Sequence, residues 1–189
     1  MSAALQNRSP RMRVAEFLEM IEPHPGEERW ELLDGEAVLM APQNERHQTI
    51  VTNLLLPAGR LASLRDCRAL PGLGILNETV DDYAPIPDVV VRCGPILDGV
   101  YARDPLFVAE VLSRSTMIND RGRKLAFYQT IESLRTILLV SQDEVRIEAW
   151  QRSGSDWTLD LMRSIDDVIE AQDLGSITVA DVYRHLPGL

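Results

Sequence analysis

Residues 106–112 read LFVAEVL, a run apolar enough to be covered on both faces of a sheet, with one carboxylate, Glu110, inside it. A carboxylate in a buried strand is costly unless it is paired, protonated or bound to a metal. Residues 86–93 (IPDVVVRC) pose the same problem. Val89, Val90 and Val91 form a β-branched run bounded by Pro85 and Pro87 before it and by Gly94 and Pro95 after it, with Asp88 at its head. Pairing of these two strands as a hairpin would bring both carboxylates to one end of the sheet. Two such groups ~4 Å apart repel by about 4 kcal/mol at an effective dielectric near 20. A positive group is therefore expected between them.

Lys124 is the first candidate. The chain carries 19 Lys plus Arg, and Lys124 is its only lysine. Arginine is a planar fork that stays charged, whereas lysine is a compact point charge whose pKa shifts on burial. Asp120, Lys124 and Tyr128 recur every four residues and share a helix face. The plain alternative is an i,i+4 surface ion pair, worth a few tenths of a kcal/mol. A preceding strand with an embedded glutamate favours the site reading.

At 189 residues one domain with a sizeable core is expected, and 45% apolar with 25% charged residues is a globular composition. Residues 1–13 lack the apolar stretch of a signal peptide, and no run approaches the length of a membrane span. Cys67 and Cys93 suit free thiols in a reducing cytoplasm, and the three histidines, His24, His47 and His185, form no zinc spacing. The expectation is a cytoplasmic protein. A net charge of −10 argues against broad nucleic-acid affinity, yet Arg114, Arg121, Arg123 and Lys124 make a local basic rim. Arg60, Arg65 and Arg68 read as solvated helix ends.

The periodicity predicts an amphipathic helix over 11–22 and a β-hairpin over 29–42 around Asp34-Gly35. Glu31 and Glu36 flank that turn and read first as exposed polar positions, with Glu31 kept as a supporting candidate. A long helix over 44–64, capped by Asn44, would bury Leu54, Leu55, Leu61 and Leu64 and be kinked or broken at Pro57 and Gly59. Residues 71–77 read as a short strand and 113–115 as a cap for a helix ending near Ile131. Residues 136–140 form a buried strand. Residues 145–150 form a strand with one wet face carrying Arg146, Glu148 and Trp150. Further strands are expected near 157–162 and 168, and a closing helix over 177–186. The order is helix, three strands, helix, strand over 44–140. That is a mixed α/β (α+β) fold with a central mixed sheet flanked by helices, an N-terminal helix and hairpin, and a β-rich C-terminal extension.

Strand-borne Pro-Asp, a glutamate in an apolar strand and a helical lysine, in this element order, resemble the PD-(D/E)XK nuclease superfamily. The chain is more specifically similar to its Uma-type restriction endonuclease family. The matching stretches are WELLDGEAVLMAP, RHQTIVTNLL, PDVVV, VAEVLSRSTMINDRGRKLAFY and LLVSQDEVRIEAWQR. The resemblance implies a restriction-endonuclease-like domain spanning 1–189 and a metal-dependent phosphodiesterase acting on nucleic acid, above all DNA. Asp88, Glu110 and the Val111 carbonyl would hold Mg²⁺ or Mn²⁺, with Lys124 orienting water or stabilising the oxyanion. His47, Gln48, Asp120, Tyr128 and Glu31 would support them. One departure is clear: the superfamily places its lysine two residues after the acid, where this chain has Leu112.

Three other readings compete: an inactive nuclease-fold binding module, a two-carboxylate glycoside hydrolase, and a purely structural Asp–Glu–Lys network. Sparse aromatics (5%) speak against a sugar cleft. A duplex with two strands to cut would suit a homodimer.

Overall fold

The structure is a computed structural model that describes residues 11–22, 28–113 and 121–188. In chain order its elements are α1 (Val14–Ile21), β1 (Trp30–Leu33), β2 (Glu36–Leu39), α2 (Glu45–Ser63), β3 (Cys67–Pro71), β4 (Gly74–Ile75), β5 (Val89–Cys93), β6 (Tyr101–Ala102) and β7 (Pro105–Leu112). There follow α3 (Arg121–Gln129), β8 (Thr136–Ser141), β9 (Ile147–Ser153), β10 (Asp156–Met162), β11 (Val168–Ala171), β12 (Gly175–Thr178) and α4 (Val179–Val182).

Six strands form the central sheet, in the order β10-β9-β8-β7-β5-β3. Only β7 and β8 run parallel; the other four pairings are antiparallel. Parallel neighbours cannot be joined by a tight turn, and the crossover between these two carries α3. Phe107, Ala109 and Val111 point from β7 into the larger apolar cluster, under α2 and the C-terminal β11–β12 hairpin and α4. Val108 and Leu112 point to the opposite face, where Phe127, Tyr128 and Ile131 cover them. The expected mixed sheet between helices is therefore the fold observed.

Several details differ from expectation. Helix α2 runs unbroken through Pro57, which is itself buried. An internal proline costs roughly 3 kcal/mol, and the buried row of Ile50, Val51, Leu54, Ala58 and Ala62 more than offsets it at about 25 cal/mol per Å² of apolar surface removed from water. Those five residues form the inner face; Leu55 and Leu61 are half-buried, and Leu64 is exposed. The strand placed at 71–77 is two strands, β3 before it and β4 within it, because Gly72 has a positive φ that turns the chain between them. Glu148 is buried, since β9 lies between β8 and β10 and Arg146 pairs with it at 2.9 Å. The closing helix shrinks to α4, because residues 175–178 pair with β11 instead, and Thr178 caps the short helix through Asp181 N–H.

The cysteines are also corrected. Antiparallel pairing of β3 with β5 sets Cys67 opposite Cys93, their Cα atoms 4.0 Å apart, and the two are joined as a disulfide. Among the described residues no helix is long and apolar enough to cross a membrane.

A β-bulge falls between Val91 and Arg92 at the end of the β5–β7 ladder. There the buried Arg92 guanidinium donates to both Asp104 oxygens at 2.9 Å and to the Pro95 carbonyl at 2.6 Å, closing the connection between the two strands. The hydrogen bond from Arg92 holds the Asp104 carboxyl below its ordinary range. A carboxyl depressed on folding stabilises above its unfolded pKa and loses that contribution as pH falls through its folded value. Asp104→Asn should therefore lower the melting temperature at pH 7. The gap to wild type should close below pH ~4 in thermal scans across pH.

Candidate functional site

The site forms where four elements converge at one end of the β5–β7 pair. The ladder sets Val89 opposite Ala109, so Asp88 and Glu110 fall at the same level on adjacent strands, as the hairpin argument requires. The N-terminal turn of α2 approaches from one face of the sheet and α3 from the other. The β1–β2 hairpin closes over the end.

Asp88 is held on both oxygens. His47 Nε2 lies 3.0 Å from Oδ1, and the Val111 N–H donates to Oδ2 at 2.8 Å. His47 is placed by the Asn44 cap, whose side chain accepts its backbone N–H. On the other edge of β7 the Leu112 carbonyl accepts from Gln142 N–H. Backbone polar groups alternate edges along a strand, so the Val111 N–H and carbonyl both face the Asp88 side.

Glu110 is 4% exposed, and its Oε1 accepts the Tyr128 hydroxyl at 2.6 Å and lies 3.2 Å from Lys124 Nζ. Lys124 is buried as well and donates to Glu31 Oε1 at 2.9 Å. Glu31 in turn accepts the Ile86 N–H two residues before Asp88. The expected cation is thus Lys124, shared between two carboxylates. Burial pushes the Glu110 carboxyl up to about 7; Lys124 opposes this, and Asp88 and Glu31 reinforce it. Burial would lower the Lys124 pKa, but Glu110 and Glu31 together raise it above its ordinary value, so the ammonium stays charged. Burial also raises the Tyr128 hydroxyl well above its normal range, which makes it a hydrogen-bond donor throughout the neutral range.

Of the expected residues, Asp88, Glu110, Lys124, His47, Tyr128, Glu31 and Val111 come together in this cluster. Gln48 is exposed and lines a neighbouring hollow. Asp120 and Arg114 lie outside the described residues. Arg123, from the expected basic rim, pairs with Asp34 at the hairpin turn and lies over the Tyr83 ring. Glu31 overturns its first reading as an exposed position: only 6% of it is exposed. Val38, Leu39 and Met40, which the sequence did not single out, form an apolar wall of a cleft of about 250 Å³ floored by Asp88, Glu110 and Lys124.

Asp88 and Glu31 alone outnumber the Lys124 ammonium, and above pH ~7, where Glu110 ionises as well, the three acids leave two negative charges beside it. Among the described residues no group of three or more His, Cys, Asp or Glu side chains is arranged to hold a metal. Mg²⁺ typically uses only one or two protein carboxylates and keeps several waters. Asp88, Glu110 and the Val111 carbonyl are hard oxygen donors of that kind: each Asp88 oxygen keeps a second lone pair beyond the hydrogen bond it accepts, and Glu110 carries Oε2 beside the Oε1 that Tyr128 and Lys124 share. The donor set and the charge deficit both fit such an ion.

This fold and cluster define a restriction-endonuclease-like α/β protein. Residues 14–180 match the family described as "Uma2: Putative restriction endonuclease", and the chain belongs to that family. It is 30% identical over 182 residues to an uncharacterized protein of Synechocystis sp., covering 94% of each chain. A second uncharacterized protein of the same organism is 28% identical over 153 residues, covering 78% of this chain and 85% of its own. Among solved structures it is similar to one titled a putative nuclease belonging to DUF820 from Anabaena variabilis. The TM-score is 0.72 at 16% identity, covering 91% of this chain and 97% of that one.

Removing Lys124 would strand two buried carboxylates. Breaking a buried pair by deleting one partner costs about 3–5 kcal/mol, so Lys124→Met should lose that much in urea denaturation. Adding Glu110→Gln should recover part of the loss, as coupled residues are not additive.

Proposed function

We propose that the chain is a divalent-metal-dependent phosphodiesterase that cleaves nucleic acid, with DNA the preferred substrate. The observation that carries this reading is the buried Glu110 with Lys124 at 3.2 Å and Asp88 at the same level on the adjacent strand. Family membership supports nuclease-like function at the general level.

In this reading Asp88 and Glu110, with the Val111 carbonyl, hold Mg²⁺ or Mn²⁺. A bound ion of this type lowers the pKa of a water and offsets charge developing on a phosphate. Lys124 supplies a fixed positive charge beside Glu110 and stabilises the developing oxyanion. Glu31 positions that ammonium, and Tyr128 fixes the Glu110 rotamer through its hydroxyl. His47 and the Val111 N–H orient the Asp88 carboxylate, so that it is already in place before a substrate arrives.

A second reading has its own support. Each of these side chains already has a protein partner, and such a satisfied network also suits a nuclease-fold module that binds and turns nothing over. Plasmid nicking in Mg²⁺ or Mn²⁺ separates the two. Wild type should nick, and chelation should stop it. Glu110→Gln and Asp88→Asn should each lose at least a hundredfold in rate while keeping the far-ultraviolet spectrum of the folded protein. Wild type that does not nick with either metal, or variants that nick as fast as wild type, would remove the phosphodiesterase reading.

A further inference from the structure

The cleft over Glu110 does not end at the His47–Asp88 pair. A second hollow of about 430 Å³ opens on its far side, and the two share Leu39, Met40, Ala41, Gln43, His47 and Asp88. We infer that this second hollow is a nucleobase pocket, which seats the base of a nucleotide flanking the scissile phosphate and reads its edge with Gln48 and Gln43. The inference rests on the phosphodiesterase reading for the word "scissile" and on the hollow itself for the rest.

The walls suit a flat, apolar-faced ligand with a polar rim. Leu39, 49% exposed although it sits in a strand, contributes apolar surface together with Met40, Pro42, Val51 and Pro71. Leu39 lies in the outer strand of the two-stranded β1–β2 hairpin, which leaves its side chain open at the mouth of the charged cleft. Besides Glu28 and Arg29 at one end and the His47–Asp88 pair at the other, the lining carries two carboxamides. Gln48 is exposed in the first turns of α2, and its side-chain amide has no hydrogen-bond partner among the described residues. Among the described residues the Gln43 amide makes one hydrogen bond, at 3.4 Å to the Ala41 carbonyl. A carboxamide offers a donor and an acceptor side by side, the pattern that matches a base edge, adenine above all. The volume lies in the range of single small-ligand pockets, too small for a length of duplex.

One cation stands at the rim. Arg29 donates to the Gly72 carbonyl at 3.0 Å. Gly72 has a positive φ, and any side chain there would overlap the Arg29 guanidinium, so the residue is needed as glycine for Arg29 to lie where it does. Arg29 thus offers charge to a neighbouring phosphate, while the pocket floor, with Asp88 beside it, repels phosphate and admits an uncharged ring.

Uncharged probes test the pocket independently of any metal. Deoxyadenosine, deoxyguanosine, deoxycytidine and thymidine, with deoxyribose as control, are titrated into the full chain, following the side-chain amide resonances of Gln43 and Gln48. Expected are millimolar saturating shifts with the nucleosides, at least threefold different between the four bases, and none with deoxyribose. Leu39→Ser and Gln48→Ala, both at exposed positions, should weaken binding at least fivefold with unchanged melting temperature. Nucleoside shifts no larger than those of deoxyribose, or variants that bind as wild type does, would overturn the pocket. Nicking without nucleoside binding sinks the pocket and leaves the phosphodiesterase; binding without nicking does the reverse.

Discussion

The ammonium of Lys124, held between Glu31 and Glu110, is the interaction on which the rest of the site depends. It joins three elements far apart in the chain: the β1–β2 hairpin, the second strand of the central pair, and the crossover helix. Without it two buried carboxylates face each other and a third stands nearby. With it the hairpin is clamped over the sheet end, and the Val38–Met40 wall of the cleft is set opposite the acidic floor. A buried ion pair of this kind contributes little net stability compared with apolar packing of the same volume, although deleting one partner is costly.

The fold was largely legible because its strongest signals are local. The run of valines after Asp88, the LFVAEVL strand and the Asp34-Gly35 turn each carry their own periodicity or turn chemistry. What was missed depended on tertiary context. Pro57 reads as a breaker, yet a 19-residue helix lying against a sheet buries enough apolar surface to absorb one missing hydrogen bond. Strand β11 was expected near 168, but the end of β12 reads as the start of the closing helix because a four-residue strand is too short to show alternation. The disulfide follows from a register that places Cys67 across from Cys93, and no spacing rule predicts a cross-strand register.

The site was legible in part for a physical reason. A charged residue in an apolar strand is a conflict visible in one dimension, and so Glu110 and Asp88 stand out. Lys124 stands out through composition. Glu31 does not, because a glutamate near a hairpin turn is ordinary, and only the closure of the hairpin over the sheet buries it. His47 likewise gains its meaning from Asp88, which lies 41 residues away. Although Lys124 lies on α3, 14 residues after Glu110 in the sequence, its ammonium comes within 3.2 Å of the glutamate.

In the proposed function Asp88 and Glu110 form one metal-holding pair completed by the Val111 carbonyl. Crystals grown with Mn²⁺ and measured for anomalous scattering test it directly. One strong peak is expected within about 2.5 Å of an oxygen from each carboxylate, with Lys124 still bound to Glu31. A peak elsewhere in the molecule, or none at saturating Mn²⁺, would contradict it and leave the buried network with a structural role alone.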